Sequence, residues 1–189
     1  MKILKKICFV VLMAIFLSSC STTPSTYTGD CFTDKDVADC RVKAEQGVAQ
    51  AQFSLGEIYY NGRGVIQDHK EAGKWFRLAA EQGYASAQEN LGWMYYNGRG
   101  VIQDDKEAVK WYRKSAEQGY SSAQSNLGLM YEYGEGVLQD YVMAHMYFNI
   151  ASVNGDKYAI KNRGIVEKKM TPSQIEESQK LTREWMRTH

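Results

Sequence analysis

The chain has 189 residues, of which 44% are hydrophobic and 24% charged, with only 2 prolines and 13 tyrosines. This composition is typical of a folded chain and excludes an intrinsically disordered one. The formal charge is +1, and it falls to −2 without the three lysines of the N-terminal segment. A nucleic-acid partner is not expected, because nucleic-acid binding needs a concentrated basic surface.

The N-terminus has the pattern of an export signal. A basic stretch at 1–6 precedes the apolar run ICFVVLMAIFL at 7–17, which is too short to cross a hydrocarbon core of about 30 Å as a helix. The run ends in LSSC at 17–20, which closely resembles a bacterial lipobox. We therefore expect residues 1–19 to be a lipoprotein signal peptide and Cys20 to carry the lipid. An ordinary cleaved signal or an uncut hydrophobic anchor is the alternative.

Residues 20–33 are predicted to be the lipidated N-terminus and a flexible tether. The sequence STTPSTYTGD at 21–30 is polar and rich in Ser and Thr, as linkers are. One acyl chain holds a protein only marginally, whereas two or three chains on one cysteine make a stable anchor. Ser21, which follows the cysteine in place of Asp, resembles an outer-membrane sorting signal. The expected location is the bacterial cell envelope, lipid-anchored at the outer membrane and facing the periplasm or the cell surface.

Two further cysteines of the mature chain, Cys31 and Cys40, form a candidate disulfide. Exported proteins meet an oxidising environment in which such pairs form. Nine positions along one helix span about 13 Å, which is beyond disulfide reach. The bridge therefore requires Cys31 to precede the helix and fold back on it. Two free thiols are the alternative, and a metal site is not expected, because no His or third Cys is nearby.

Three consecutive segments repeat one pattern with a period of 36 residues and no insertion. They occupy 44–79, 80–115 and 116–151. A fixed period of this length predicts stacked helix pairs, an all-α fold in which each unit buries the surface of its neighbour. A capping half-repeat is expected before them at 34–43, and a degenerate repeat with a capping helix after them at 152–189.

The first half of each repeat is predicted to be a helix that packs closely on its neighbour. In the second copy it runs from about 84 to 96, with small and apolar residues on one face. A glycine costs about 1 kcal/mol in a helix interior. Its recurrence at Gly56, Gly92 and Gly128 therefore indicates close approach of a neighbouring helix. The face in the second copy consists of Ala87, Leu91, Gly92 and Tyr95.

A glycine-rich turn at 97–100 is predicted to separate the first helix from a second one. Asp104 is the expected N-cap of that second helix and Glu107 its capping-box partner, and the first copy has the same pair of residue types. The third copy has Asp140 but Met143 at the glutamate position, so its box is expected to be incomplete. The predicted inward face of the second helix consists of Ala108, Trp111, Tyr112 and Ala116.

The two ends of the array are predicted to be caps. At the N-terminal end Asp39 stands where the repeats have Trp, which indicates that this end faces water. Near the C-terminus Thr171, Pro172 and Gln174 have the positions of N-cap, N1 and N3. The helix that follows, to about 186, places small and apolar residues on one face: Ile175, Ser178, Leu181 and Trp185.

The pattern of the three copies resembles the Sel-one-like repeat, a subclass of tetratricopeptide-like helical solenoids. The resemblance covers 44–151, with Tyr147 at the Trp position of the third copy. It implies a right-handed α-solenoid of helix-turn-helix repeats and a scaffold or adaptor role toward a protein or peptide partner, without catalytic residues. In the first copy the pattern is carried by Ala49, Ala51, Gln52, Leu55, Gly56, Tyr59, Gly62, Gly64, Val65, Asp68, Ala72, Trp75, Ala79, Ala80 and Gly83.

A cell-wall or small-molecule module is the alternative function, one that binds or hydrolyses peptidoglycan or a β-lactam. It follows from the same resemblance, because some cysteine-rich secreted relatives are linked to β-lactam binding or hydrolysis. This chain lacks the disulfide pair that those relatives have in every repeat, which counts against the alternative. A self-associating structural protein is a third option.

The repeat pattern leaves free certain first-helix positions with the spacing i, i+4, i+7, which form one stripe along a helix. In solenoids of this family the first helices line the concave surface. Aromatic side chains beside glutamates are typical of peptide and protein recognition. The alternative is that the aromatic rings pack between successive first helices. The predicted partner-binding stripe consists of Phe53, Glu57, Tyr60, Glu89, Trp93, Tyr96, Ser125, Leu129 and Glu132.

Catalytic and metal chemistry is not expected. The three histidines, His69, His145 and His189, share no metal-binding spacing and are interpreted as solvated or packed side chains. No Ser-His-Asp or Cys-His set can be assembled from the sequence with any specificity. The Gly-x-Gly turns lack the preceding strand, the third glycine and the Lys-Ser/Thr of phosphate loops. The sequence therefore predicts a non-enzymatic protein without cofactor or metal.

Overall fold

The computed structural model describes residues 37–189, and within this range the chain forms nine helices and no strand. The predicted all-α fold is confirmed. The predictions for 1–36, which concern the signal peptide, Cys20, the tether and Cys31, lie outside the described residues. The helices are α1 (Val37–Glu45), α2 (Ala49–Asn61), α3 (His69–Glu81), α4 (Ala85–Asn97), α5 (Asp105–Glu117), α6 (Ser121–Tyr133), α7 (Tyr141–Val153), α8 (Lys157–Glu167) and α9 (Pro172–Thr188).

Six of these helices form three pairs, each made of a first helix (α2, α4, α6) and a second helix (α3, α5, α7). All six have 13 residues. Each packs mainly on the helix before it and the helix after it, as expected of a linear stack of units. The half-unit α1 packs on α2, and both α8 and α9 pack on α7, so the C-terminal unit closes the stack.

Three helical glycines set the distance between the two helices of each pair. A Cβ atom built on Gly92 would lie 2.7 Å from Cδ1 of Tyr112, closer than side chains approach one another. The ring of the second helix therefore lies directly on the backbone of the first, and the predicted close approach is confirmed. The same contact joins Gly56 to Phe76 and Gly128 to Phe148.

The second helices begin at the predicted aspartates, but the predicted capping boxes do not form. Asp104 accepts hydrogen bonds from the backbone N–H groups of Lys106 and Glu107. Its own N–H donates to the Tyr95 carbonyl at 3.0 Å. Because that donor is already satisfied, Glu107 pairs with Lys110 at 3.0 Å instead. In the first copy the same four positions are held by Asp68, Glu71, Tyr59 and Lys74.

The N-termini of α7 and α9 show the same dependence on which acceptor the N-cap N–H finds. The N–H of Asp140 donates to the Tyr131 carbonyl at 2.9 Å. The third copy therefore needs no glutamate at position 143 to accept this hydrogen bond. In α9 no such tertiary acceptor intervenes, and Thr171 and Gln174 form the reciprocal capping box that the sequence predicted.

A ladder of buried glutamines joins successive repeats. Gln88, 4% exposed, donates from Nε2 to the Ala80 carbonyl at 3.1 Å and accepts at Oε1 from Gln118 at 2.8 Å. Ala80 lies in the last turn of α3, and Gln118 directly follows α5. One side chain of α4 thus bonds to the ends of two second helices. The equivalent bonds join Gln52 to Ala44 and Gln82, and Gln124 to Ala116 and Asn154.

Candidate functional site

The predicted stripe lies along the first helices, and its aromatic members are half-buried. The rings of Tyr60 in α2 and Trp93 in α4 meet edge to face, with 6.0 Å between their centroids. Phe53 contacts the rings of Phe76 and Tyr84 at 5.7 and 5.0 Å. These rings pack between successive repeats and still keep a solvent-facing side, and the partner-binding role of the stripe stays a prediction.

Between α2 and α4 the stripe opens into a cavity of about 250 Å³, the first cavity. Phe76 and Met94 are almost completely buried and form its apolar base. The half-buried side chains form its walls and bring in one carboxylate and one carboxamide. The lining residues are Tyr60, Phe76, Glu89, Asn90, Trp93 and Met94.

Glu89 supplies the one acidic group of the first cavity lining. Burial raises the pKa of its carboxyl group above the ordinary value, and a hydrogen bond from Asn126 partly offsets that effect. The Asn126 amide donates to Oε1 over 3.3 Å, which is long for a bond to an anion. The carboxylate is thus held in an apolar setting by a weak neutral donor.

Arg99 stands at the rim of the first cavity. Its Nη1 donates to the hydroxyl of Tyr60 at 2.8 Å. Its guanidinium carbon lies 5.5 Å from the ring centroid of Trp93 and 5.9 Å from that of Tyr60, within cation–π range. Arg99 itself is exposed. It therefore fixes the orientation of both rings from the solvent side.

A second cavity occupies the equivalent place one repeat later, between α4 and α6, but it measures only about 40 Å³. Leu129 stands there at the position of Trp93, and Glu135 at the position of Arg99. The hydroxyl of Tyr96 donates to Glu135 at 3.0 Å, and this hydrogen bond raises the Tyr96 pKa. The lining residues are Tyr96, Tyr112, Asn126, Leu129, Met130 and Glu135.

The third-copy part of the predicted stripe is covered, which corrects the expectation of an exposed surface there. Ser125 is 7% exposed and hydrogen-bonds to Asp156. Glu132 is 3% exposed and forms an ion pair with Lys169 at 2.8 Å. Leu129 packs against the hydrophobic cluster shared by α7 and α8. The C-terminal unit thus occupies this end of the stripe, and the accessible part is limited to α2 and α4, hereafter the first-helix face.

Sequence reasoning missed a row of exposed aliphatic side chains. Ile66, Ile102 and Leu138 are 91%, 91% and 90% exposed. They occupy the same position in each repeat, directly after the Gly-Val pair of the turn. The sequence could have indicated this row, because a large aliphatic residue recurs at a position that the repeat pattern leaves free.

The C-terminal unit brings together a serine, a histidine and a glutamate that the sequence did not connect. His145 of α7 hydrogen-bonds through Nδ1 to Ser178 of α9 and through Nε2 to Glu167 of α8, the latter at 2.9 Å. Asn149 donates to the same Nδ1 at 3.1 Å. Ser178 and His145 are 0% and 1% exposed, so a substrate has no access to the hydroxyl. The group joins three helices, and of the two expected states of His145, solvated or packed, the structure shows the packed one.

Within residues 37–189 no group of three His, Cys, Asp or Glu side chains has a metal-binding arrangement. Over the same range, none of the helices is both long enough and apolar enough to span a bilayer. Cys40 is buried and disulfide-bonded. Its predicted pairing with Cys31 stays a prediction, because Cys31 lies outside the described residues.

Stacked helix pairs with a recurrent glycine contact and a glutamine ladder define a helical repeat solenoid. The Sel1 repeat family matches three consecutive segments of the chain, 49–84, 85–120 and 121–156. The chain therefore belongs to the Sel1 repeat family, whose members are typically protein-interaction scaffolds and mostly non-catalytic. The matched segments begin at 49 where the repeat predicted from the sequence begins at 44, with the same period in a different phase.

Solved structures with this fold come from several bacteria. A protective antigen present in uropathogenic Escherichia coli strains, displaying an SLR fold, is 44% identical, with a TM-score of 0.74 over 78% of this chain and 32% of that one. This chain thus spans about a third of the antigen. A Sel1 repeat protein from Oxalobacter formigenes is 41% identical, with a TM-score of 0.63 over 69% of this chain and 98% of that one.

A more distant structure shares the fold alone. The Helicobacter pylori cysteine rich protein B is 24% identical, with a TM-score of 0.52 over 65% of this chain and 93% of that one. None of the curated proteins matches the chain.

Proposed function

We propose that this protein is a lipid-anchored, non-enzymatic scaffold of the bacterial envelope that binds a protein or peptide through the first-helix face. The observation that carries the proposal is the first cavity, an accessible recess walled by aromatic rings on repeats of a scaffold family. The anchor is supported by the lipobox at 17–20 and the polar tether that follows it. Ser21, which follows the cysteine, supports a location of the binding face at the outer membrane, toward the periplasm or the cell surface.

The composition of the first-helix face favours a polypeptide partner. Binding energy in protein interfaces concentrates in a few large aromatic and arginine side chains surrounded by a less important rim. Tyr60, Trp93 and Arg99 are such side chains, and they already contact one another across the two first helices. Their orientation is therefore fixed before a partner arrives, which reduces the entropy cost of binding.

A matched pair of variants tests the face. The affinity-tagged full chain, in detergent, captures proteins from an envelope extract of its own cells after brief cross-linking. We expect Trp93→Ala to lose a specific captured protein and Ile102→Ser, which removes an exposed side chain of the turn, to keep it. Far-UV circular dichroism verifies that both variants remain helical. If only the Ile102 variant failed to capture that protein, the binding surface would be the turns and not the first-helix face.

The anchor is tested separately. Cys20→Ala removes the sulfur that would carry the lipid, so we expect the variant to appear in the soluble fraction or to remain unprocessed. A Cys31→Ala variant serves as the control, because it also removes one cysteine from the N-terminal region. Membrane fractionation that is the same for Cys20→Ala as for the parent would contradict the lipid anchor.

The cell-wall or β-lactam alternative is tested by turnover. Ser178 and His145 are buried, and we expect the purified chain to leave nitrocefin and peptidoglycan fragments unchanged. Turnover that a Ser178→Ala variant abolishes would establish an enzymatic function and overturn the scaffold proposal.

A further inference from the structure

We propose that the first cavity binds a basic side chain of the partner, with its cation held by the Glu89 carboxylate against the rings of Trp93 and Tyr60. The inference rests on the proposed function and specifies the chemistry of the partner at that same face. It follows from the charge, the rings and the size of the cavity, and from comparison with the second cavity.

The charge of the cavity requires a cation from outside. Glu89 is half-buried, and within residues 37–189 its carboxylate forms no ion pair. Its recorded partner is the neutral Asn126 amide at 3.3 Å. A buried carboxylate without a cation costs free energy, and a cation that reaches it removes that cost. A lysine ammonium or an arginine guanidinium supplies the missing charge.

The rings provide the second element of the site. Trp93 lies four residues after Glu89 on α4, so the two side chains are neighbours on the same helix face. Trp93 and Tyr60 meet edge to face at 6.0 Å, and both residues line the cavity. Aromatic faces attract cations, and the attraction strengthens when the cation is desolvated.

Arg99 does not neutralise the site in advance. It is exposed at the rim, where water and salt screen its charge strongly. Glu89 is half-buried, and charges act more strongly on each other there than in open solvent. A cation inside the cavity is therefore attracted by Glu89 more than it is repelled by Arg99. The contact of Arg99 with Trp93 at 5.5 Å shows that these rings already accept a cation on one side.

The size of the cavity indicates a single side chain as the occupant. Its volume is about 250 Å³, just below the range of about 300–1,000 Å³ typical of drug-sized ligand pockets. The second cavity, of about 40 Å³, has room for little more than one water molecule, which occupies roughly 30 Å³ in the liquid. At the position equivalent to Glu89, the second cavity has Ser125, which is buried and hydrogen-bonded to Asp156. Of these two cavities, the one between the first two repeats combines the room with the carboxylate, and the other does not.

The probe for this site is N-acetyl-lysine N-methylamide, a lysine side chain with a blocked backbone. It is titrated into the isotope-labelled full chain in detergent, and the indole N–H signals of Trp93 and Trp111 are followed by NMR. Trp111 is 4% exposed and lies outside the cavity lining, so it serves as the internal reference. N-acetyl-norleucine N-methylamide, which has the same alkyl chain without the ammonium group, is the neutral probe.

We expect the lysine probe to shift the Trp93 signal saturably and the Trp111 signal little. Glu89→Gln keeps the shape of the side chain and removes its charge, so affinity should fall about tenfold or more. Glu135→Gln removes an acid from the second cavity and should leave affinity unchanged. Absence of a saturable shift, equal binding of the norleucine probe, or parent-like affinity of Glu89→Gln would each overturn the inference.

The same variants separate this inference from the proposed function. If capture of the partner requires Trp93 but not Glu89, the first-helix face binds a partner without a basic side chain in the cavity, and only the inference fails. If capture requires neither Trp93 nor Glu89, the proposed face itself is wrong, whatever the lysine probe shows.

Discussion

The first and second cavities occupy equivalent places in two successive repeat junctions, yet one is open and the other nearly filled. Both stand on the same frame, since a buried methionine, an aromatic ring over a helical glycine and an asparagine recur in each. They differ at the positions of Trp93, Glu89 and Arg99, which become Leu129, Ser125 and Glu135. The repeat pattern thus builds the junction, and residues that the pattern leaves free decide what the junction can bind.

The largest expected loss of stability comes from a substitution in the turn, where the two repeats of a junction come into close contact. Gly100 has a φ of +76°, and a Cβ atom there would lie 2.1 Å from the His69 carbonyl oxygen of the preceding repeat. Gly100→Ala should therefore lower the free energy of unfolding by about 3 kcal/mol or more. Chemical denaturation followed by circular dichroism measures the loss.

Two further glycines sharpen that result. Gly136 has the same role one junction later, with a Cβ contact of 2.3 Å to the Asp105 carbonyl oxygen, so its alanine variant should lose a similar amount. Gly119 has a φ of +84° but no neighbouring atom within 4 Å, and Gly119→Ala should lose only about 1 kcal/mol, the cost of the backbone conformation. Tolerance of Gly136→Ala would mean that the two junctions do not share one frame.

The glutamine ladder should give the next largest effect. Gln88→Ala removes two hydrogen bonds of a buried side chain, one to the Ala80 carbonyl and one from the Gln118 amide. The Ala80 carbonyl keeps the Gly83 N–H and the exposed Gln118 amide keeps the Lys114 carbonyl, so the loss should be about 1–2 kcal/mol. Gln124→Ala should cost about the same, because the ladder continues through the second junction. Gln103, exposed in the turn, is the control and should change stability by less than about 0.5 kcal/mol on replacement by Ala. Unequal losses at Gln88 and Gln124 would show that the glutamine ladder does not stabilise the two junctions equally.

The frame could be predicted from the sequence, because it repeats. The period of 36, the glycine contacts and the aspartate N-caps each appear three times, and the structure has them where the pattern placed them. The capping boxes were wrong for a tertiary reason, since the carbonyl of Tyr95 takes the donor that the box needs. A sequence pattern within one helix cannot show an acceptor that comes from the preceding one.

The site was harder to predict, because it depends on what covers the stripe. The sequence around Ser125 and Glu132 does not show that these two positions are covered while the equivalent positions of α4 are not. Ser125 is buried by contact with Asp156, and Glu132 by contact with Lys169, both in the C-terminal unit. The contact of His145 with Ser178 likewise joins residues 33 positions apart. Such pairings depend on how the degenerate last unit folds back, where the period no longer guides the prediction.

High pH should lower the stability of the chain through buried tyrosines, one of which, Tyr112, lines the second cavity where the first has Phe76. Tyr112 occupies the place that Phe76 and Phe148 hold in the other pairs, and burial raises its pKa strongly. Burial also raises the pKa of Tyr147 to about 12. The unfolded tyrosines release their protons near the ordinary value of 10.0 while the folded ones keep them, so stability falls as the pH rises above that value. Each should contribute about 1 kcal/mol of loss by about pH 11.

Replacing each tyrosine by phenylalanine isolates its share of that loss. Tyr112→Phe and Tyr147→Phe should each flatten the decline of the free energy of unfolding above pH 10, and neither ring is removed from the core. Tyr158, which is 77% exposed, provides the control, and its phenylalanine variant should follow the parent. An unchanged alkaline slope in Tyr112→Phe would show that its hydroxyl is solvated in the folded chain.

The smallest expected effect has the most direct bearing on the difference between the cavities. Glu89→Gln should stabilise the chain at neutral pH by up to about 1 kcal/mol, because a half-buried carboxylate without an ion pair becomes a neutral amide of the same shape. The pKa of Glu89 lies above the ordinary 4.5, so the folded chain takes up its proton before the unfolded chain does. The advantage of the variant should therefore be full at neutral pH and shrink as the pH falls through that raised pKa.

Glu135→Gln provides the contrast, because the Glu135 carboxylate accepts a hydrogen bond at 3.0 Å from the hydroxyl of Tyr96. A charged acceptor is a stronger partner than an amide, so this variant should lose a few tenths of a kcal/mol rather than gain stability. Opposite signs in the two cavities would show that the first keeps its carboxylate at a cost to folding, as a binding site does. A loss of stability in Glu89→Gln would instead give that carboxylate the same structural role as Glu135, and the first cavity would then differ from the second in size alone.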